Sequence, residues 1–449
     1  MAVGERVGQM AQPVKRRDLF SGPFFWLSAF YFVYCIRPED WIPGLKNIPL
    51  AKATAFFAIV ALLLSMGKVK RRFRDLPKES TYLLLLIGLM FLSAVFSPVW
   101  RGGAFFRTLD FAKVWVTWVL TYFLVTNIER LRRIIFIQAA SVAVISIVSV
   151  IKGHSQPRLE GVLGGIYSNP NDLAFAIVLS LPFCLAFLLA TKSIPRMAVW
   201  VLAMLCMAVT LFMTASRAGF ITLLISGAVC LWHFAIKGRR PMLIVAVVLI
   251  GTVLLGVAGK TLRRRFGALS GEGLESNLDT GAYGSFEERK YLINRALVGM
   301  EHYPFLGLGT RNFTTYSGVW REVHVSYLQI GVEGGIPALI LYLMFFWSGF
   351  ANLRGLRRRT DLDGQTKLFV GALHSSLVGF AIGACFAPEA YQFFPYYAVA
   401  YTSVLLAMVQ KSDPAAPPAK SLLQSQSWLR PYPDEKGERE RASEVTILH

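Results

Sequence analysis

The sequence is short of charge. Only 16% of its 449 residues are Asp, Glu, Lys or Arg, while 54% are hydrophobic. A soluble chain carries about 25% charged residues. A large soluble helical core would also need polar faces at helical spacing, and the apolar runs of this chain lack them. Acidic residues are scarcer than basic ones, 27 against 47, which leaves a net charge of +20. That excess does not make a nucleic-acid footprint. The Lys and Arg residues cluster in short segments between apolar runs, the positive-inside pattern of membrane proteins, so no nucleic-acid partner is expected.

Cysteine is scarce too. Cys35, Cys184, Cys206, Cys230 and Cys385 all fall in or beside apolar runs, where they read as small packing residues rather than a disulfide frame or a thiolate metal site. The chain has no His-Glu-x-x-His and no spaced cysteine cluster, so no metal or cofactor is called for. No small-residue cleavage site follows the first apolar run. That run, 20–36, comes after Lys15-Arg16-Arg17 and reads as an uncleaved span. There is no internal repeat.

What the chain does have is long apolar runs, many of about 17 residues or more, enough to cross a hydrocarbon core of roughly 30 Å. Twelve spans are expected, at 20–36, 51–66, 80–97, 110–126, 134–151, 171–190, 196–213, 217–235, 241–259, 324–347, 367–387 and 392–409. The fold class is therefore an all-α polytopic membrane protein. One connection is unlike the others. Residues 260–323 are hydrophilic and rich in Gly, Arg and acids, and read as a large extracytoplasmic loop holding short helices. The expected organisation is a cytoplasmic segment 1–19, nine spans over 20–259, the loop 260–323, three spans over 324–409 and a disordered cytoplasmic tail 410–449.

Charge asymmetry orients these spans. On one side the connections carry Lys15-Arg16-Arg17, then Lys68, Lys70, Arg71, Arg72, Arg74 and Lys78, and then Arg130, Arg132 and Arg133. The same side continues with Lys192 and Arg196, then Lys237, Arg239 and Arg240, then Arg354 and Arg357-Arg358-Arg359. The short connections on the other side hold only scattered cations such as Arg37, Lys46, Arg101, Arg107 and Arg158. Both termini are thus expected in the cytoplasm. From Met197 to Ala235 the only charge is Arg217. A single helix there would be roughly 58 Å long at 1.5 Å per residue, too long for one crossing. The chain is therefore expected to turn at Thr214-Ala215-Ser216-Arg217, leaving Arg217 at the outer face at the start of a returning helix.

Three residues carry the chemical argument. Arg217 lies next to the membrane, where an Arg is costly and marks a functional hypothesis; an interfacial Arg reaching for lipid headgroups is the competing reading. Ser216 before it suits a helix cap, and a helix N-terminus favours anions. Arg289 falls on the helix expected over 285–300, in line with Ile293, Ala296 and Met300, while Glu288, Lys290 and Arg295 point elsewhere. A buried ion pair with an acid such as Asp279 is its competing reading. His324 stands where the loop re-enters the membrane. A helix N-terminus disfavours its cationic form and leaves the neutral imidazole that a general base requires. Asn169-Pro170-Asn171-Asp172 suits a turn and a helix cap. Residues 303–313, with Gly307, Gly309 and Asn312, read as a turn-rich link, and Asp110 and Lys113 are spaced for an intrahelical pair.

These stretches together resemble the O-antigen ligase and polymerase superfamily of bacterial inner-membrane proteins. The matching segments are Tyr167-Ser168-Asn169-Pro170-Asn171-Asp172-Leu173-Ala174, Thr214-Ala215-Ser216-Arg217-Ala218-Gly219, and Arg289 through Pro304, Gly307, Gly309 and Asn312-Phe313. The last is His324-Val325-Ser326-Tyr327-Leu328-Gln329, followed by Gly331, Gly334 and Gly335. The resemblance implies a GT-C-like fold. It also implies a metal-independent glycosyltransferase of lipopolysaccharide biosynthesis in the inner membrane, with its active site at the periplasmic face. The donor would be an undecaprenyl-diphosphate-linked glycan and the acceptor a hydroxyl of lipid A-core or a similar molecule, with membrane lipids as further partners.

Carried over residue by residue, Arg217 and Arg289 would hold the diphosphate and His324 would act on the acceptor, with Asn169, Asn171, Asn312 and Tyr327 as further substrate contacts. Two departures concern the acceptor. Val325-Ser326 stands where the family often has Asn after the His, and Ile293 stands where the loop helix usually has Trp. A polymerase or a protein O-oligosaccharyltransferase of the same superfamily is the near alternative. A polysaccharide transporter or flippase is the distant one; it predicts inverted repeats and ionisable groups near mid-membrane, and neither is seen.

Overall fold

The computed structural model describes residues 22–42, 44–46, 48–68, 71–155, 159, 163–267 and 277–411, with side chains at all of these except 68, 254, 255, 257–285 and 411. The expected segment 1–19, Lys70, Arg158, the Asp279 side chain and the tail from 412 lie outside these described residues. Every regular element within them is helical. The first six helices are α1 Pro23–Ile36, α2 Pro38–Trp41, α3 Leu50–Leu64, α4 Lys78–Val95, α5 Arg101–Leu124 and α6 Ile128–Gly153. Next come α7 Pro170–Ala190, α8 Ile194–Met213, α9 Arg217–Leu231 and α10 Met242–Gly267. The last are α11 Asn277–His302, α12 Phe313–Tyr316, α13 Ser326–Arg358, α14 Gly364–Gly383 and α15 Phe393–Lys411.

Eight of these are long and apolar enough to cross a membrane: α4, α6, α7, α8, α9 with its continuation to Ile236, α13, α14 and α15. The chain is a multi-helix membrane protein. Twelve spans were expected, and a helix overlies each of those stretches; beyond these eight, α1 and α3 are short and α5 is charged. α1 has 14 residues and α3 has 15. α5 has 24 but carries Arg101, Arg107, Asp110 and Lys113. α10 is apolar over Met242–Val253, and the sequence stays apolar through Leu254, Leu255, Val257 and Ala258, whose side chains lie outside the described residues.

Local chemistry explains where the helices start. The Asn169 side chain caps α7, and Pro170 occupies its first turn, where a missing N–H costs nothing. Asn127 caps α6 in the same way. Asp363 caps α14 by accepting from the Gln365 and Thr366 N–H groups, both at 3.1 Å. α7 is the helix most enclosed by the others: 72% of its apolar window is buried, against 33% for α8 and for α9. α14 packs on α7 and α9, and α13 packs on α4. The starts of α7 and α9 approach so closely that a Cβ at Gly219 would stand 2.6 Å from the Ala174 Cβ.

α13 is broken inside the bundle. Gly335 has φ 83, outside the helical region, and Pro337 follows it. The backbone groups released at the break bond to the 303–312 link instead. The Leu308 N–H donates to Val332 O at 2.9 Å, the Gly309 N–H to Glu333 O at 2.9 Å, and the Ile336 N–H to Pro304 O at 2.7 Å. From α4, the Ser93 hydroxyl also donates to Glu333 O, at 2.6 Å.

The helix expected over 285–300 lies within α11, but its buried stripe is displaced. Leu292 and Ala296 are fully buried with Leu308, Phe313, Val323 and Val332, while Met300 packs at the margin of this cluster. Ile293 is half-buried. The reason is tertiary: the 308–313 link and the start of α13 meet the helix from the Leu292 side.

Candidate functional site

The turn between α8 and α9 falls where the charge argument put it. Ala215 takes a left-handed φ of 49 and reverses the chain. Ser216 then caps α9. Its Oγ accepts from the Gly219 N–H at 3.1 Å, and its hydroxyl donates to Asn171 Oδ1 at 2.7 Å. Asn171 is itself held by its N–H bond to Asn169 Oδ1 at 2.9 Å. Arg217, the first residue of α9, is only 8% exposed. A guanidinium this enclosed at a helix N-terminus sits where the helix dipole favours an anion.

Arg289 and His324 are brought together from α11 and the head of α13. Burial first, and then the charges of Arg289 and Arg321, hold the His324 imidazole down at about 4. It is therefore neutral at pH 7. Its Nδ1 is buried without a hydrogen-bond partner. Three contacts fasten α11 to the segment leading to His324. Arg321 pairs with Glu288 at 3.4 Å, the Tyr291 hydroxyl donates to Ser317 O at 3.1 Å, and the Arg295 guanidinium lies 4.4 Å from the Tyr316 ring.

The head of α13 is pinned just beyond His324. The Ser326 N–H donates to Ala384 O and the Ser326 hydroxyl to Ala387 O, both at 2.7 Å, and the Glu389 N–H donates to Ser326 Oγ at 2.9 Å. Glu389 in turn shares a hydrogen bond with Asp172 at the start of α7. Burial, the charge of Asp172 and that of Glu322 push Glu389 well above the ordinary carboxylate range. Phe175, Ala218 and Ala387 close the apolar floor beneath these groups. A series of contacts thus runs from Ser216 through Asn171 and Asp172 to Glu389 and Ser326, with Arg217 at one end and His324 with Arg289 at the other.

Asn312 and Tyr327 do not join this series. Asn312 is fully buried, and its amide nitrogen donates to Ser97 Oγ at 2.8 Å, Leu308 O at 3.0 Å and Trp100 O at 3.1 Å. It ties the link to the α4–α5 turn. The Tyr327 hydroxyl donates to Ala381 O at 2.7 Å and fastens α13 to α14. Asn169 acts as the α7 cap, and Asp110 and Lys113 form an exposed intrahelical pair.

Sequence reasoning passed over Glu389, Glu322 and a second buried acid, Glu333. Glu333 is fully buried in α13, where it accepts from the Arg311 N–H at 2.7 Å and from the Tyr391 hydroxyl. The Arg311 guanidinium lies 5.6 Å from the Tyr391 ring. For Glu333 the signal was present: a lone acid within an apolar run marks a functional hypothesis. Glu389 gave none, because only the fold brings it to Asp172.

A search of curated proteins finds no match. A family model described as O-antigen ligase matches residues 202–343. That stretch contains Arg217, Arg289 and His324, together with the α8–α9 turn, α11 and the first half of α13, and it leaves out Asn171 and Glu389. Over residues 202–343 the chain is thus similar to the O-antigen ligase family.

Proposed function

We propose that the protein moves a glycan from an undecaprenyl-diphosphate carrier to an acceptor hydroxyl, as an O-antigen ligase does, at the periplasmic face of a bacterial inner membrane. In this reading residues 260–323 are the periplasmic loop, both termini are cytoplasmic, and no metal takes part. The bond from the anomeric carbon to the diphosphate oxygen breaks, and the electron pair leaves with the diphosphate. The acceptor oxygen forms the new bond to that carbon, and its proton passes to His324. Arg217 and Arg289 face the charge that develops on the leaving group. Guanidiniums suit this role because they stay charged and can hold phosphate by two parallel hydrogen bonds. Stabilisation that grows with the charge lowers the barrier rather than only tightening binding.

The observation that carries this reading is the neutral, enclosed imidazole of His324 beside the charge of Arg289. A base held near 4 is weak at neutral pH. A diphosphate bound at Arg289 would offset one of the charges that depress it. His324 would then become a better base when the donor is in place. The test is purified protein with a lipid-diphosphate glycan and candidate acceptors, read by mass spectrometry. Covalent transfer to a hydroxyl acceptor supports the proposal. Extension of the lipid-linked glycan instead would identify a polymerase, and glycan flux across the bilayer without transfer would overturn the enzyme reading.

A further inference from the structure

At the other end of α9 the helix does not simply stop. It widens into a π turn over Trp232–Ile236, a rare local geometry that recurs at functional sites. The turn places His233 on the wall of a cavity of ≈ 370 Å³, whose other walls come from the end of α13 and the start of α14. The cavity is lined by Lys237, Arg240, Arg357, Arg359 and Lys367, and no acidic side chain lines it. Arg359 is paired with Asp361 at 3.2 Å, and Asp363 is occupied in capping α14. Among the described residues no carboxylate stands within ion-pair distance of Lys237, Arg240, Arg357 or Lys367.

Two histidines from distant parts of the chain meet at this wall. His233 Nε2 and His374 Nδ1 are 3.0 Å apart, and an Arg357 Nη1–H points to His374 Nε2 at 3.4 Å. Since Arg can only donate, His374 Nε2 accepts and its Nδ1–H donates to His233 Nε2. Both rings are then held as neutral imidazoles, and neither adds a cation to the wall. The positive field comes from the Lys and Arg side chains alone. Beside the cavity Trp232 and Ile236 are exposed, at 49% and 55%. An apolar chain could lie along them while its charged head enters.

We infer that this cavity binds a phosphate-bearing anion, namely the headgroup of an anionic membrane lipid. Four cations without carboxylate partners, converging on one hollow between helix ends, match the chemistry by which membrane proteins hold such headgroups. The volume exceeds what a bare phosphate needs and admits a phosphodiester with a small polyol. The site lies at the face opposite His324, so it is independent of the glycan-transfer reading.

The test uses the full chain in nanodiscs of phosphatidylcholine and a spin-labelled phosphatidylglycerol, with no glycan substrate present. We expect saturable retention of phosphatidylglycerol at the protein, weakened at least about ten-fold by a Lys237→Gln, Arg357→Gln, Lys367→Gln triple variant. Arg217→Ala removes a cation from the opposite face and should leave retention unchanged. Inorganic phosphate at millimolar concentration separates the two sources of the ligand. No competition supports a lipid headgroup, whereas full displacement would make the site one for free phosphate and overturn the lipid assignment. Absence of saturable retention, or equal losses in the triple variant and Arg217→Ala, would overturn the site altogether. Should the triple variant not fold, the single Lys367→Gln and Arg357→Gln variants carry the same comparison at about three-fold each.

Discussion

α9 carries cationic chemistry at both of its ends, and the two ends are built differently. At its start Arg217 is nearly enclosed, behind a serine cap that is itself held by Asn171. At its far end Lys237, Arg357 and Lys367 are exposed around an open cavity. A dry, fixed guanidinium suits charge that appears briefly during a reaction, because little solvent competes and little has to reorganise. Several exposed cations on flexible stems suit an anion that stays bound. Burial therefore separates the site proposed to do chemistry from the site proposed only to bind.

The strongest way to break this comparison is to remove the enclosed groups. Arg217→Ala, Arg289→Ala and His324→Ala are each expected to lower glycan transfer by about 10²–10⁴-fold while the protein still reaches the membrane. Transfer assays alongside membrane expression check this, and full activity in any one variant removes that residue from the site. Arg217→Lys should remain poor, because an ammonium lacks the planar fork. The cavity variants at the other face should keep transfer within about three-fold, and a loss as large as that of Arg217→Ala would erase the distinction between the two ends.

The next effect is on stability. Gly335→Ala would place a Cβ 2.3 Å from the Phe305 carbonyl oxygen at a φ of 83, which adds a clash to a backbone strain of about 1–3 kcal/mol. A clear fall in thermal midpoint is expected, with His324 chemistry lost in step as the head of α13 loosens. Asn312→Ala removes the buried amide that donates to Ser97, Leu308 and Trp100 and should cost about 1–3 kcal/mol. Transfer per folded molecule should be retained, and a lost donor affinity with unchanged stability would return Asn312 to the substrate site.

The smallest effects are in pH dependence. His324 must be neutral to accept a proton, and its folded value of about 4 lies below the ordinary 6.5. The acid limb of kcat/KM assigned to it should therefore fall near pH 4 rather than 6.5. In Arg289→Ala the limb of the residual activity should move upward, though only in part, because burial is the larger cause of the shift. The same group makes stability fall as pH drops from about 6.5 toward 4, where the unfolded chain binds the proton and the folded one does not. A limb that stays put in Arg289→Ala would separate the two residues.

Part of the local structure around the candidate site could be read from the sequence, and the limits have physical causes. The α8–α9 turn at Arg217 followed from length and charge alone, since one uncharged helix could not extend so far. The caps at Asn169 and Ser216 followed from side-chain chemistry at helix starts. The side of α11 that is buried did not, because a helical wheel gives spacing but not which neighbour arrives; Leu292 rather than Ile293 meets the link. The partners of Asn312 and Tyr327 did not follow either, because polar groups in motifs read alike whether they face a ligand or a neighbouring helix. His233 and His374, 141 residues apart, and Asp172 with Glu389 are pairs that only the fold creates.

The break at Gly335 also bears on how the protein tolerates different bilayers. A continuous α13 would carry any change in hydrophobic thickness along its axis to His324. Here the first half of the helix is laced to α4 and to the 303–312 link through Val332 and Glu333, and the second half starts afresh beyond Gly335, where the Ile336 N–H bonds to Pro304 O. Mismatch between protein and lipid, which costs fractions of a kcal/mol per Å, can be absorbed by tilt of the second half. The imidazole then keeps its position relative to Arg289 as lipid composition varies.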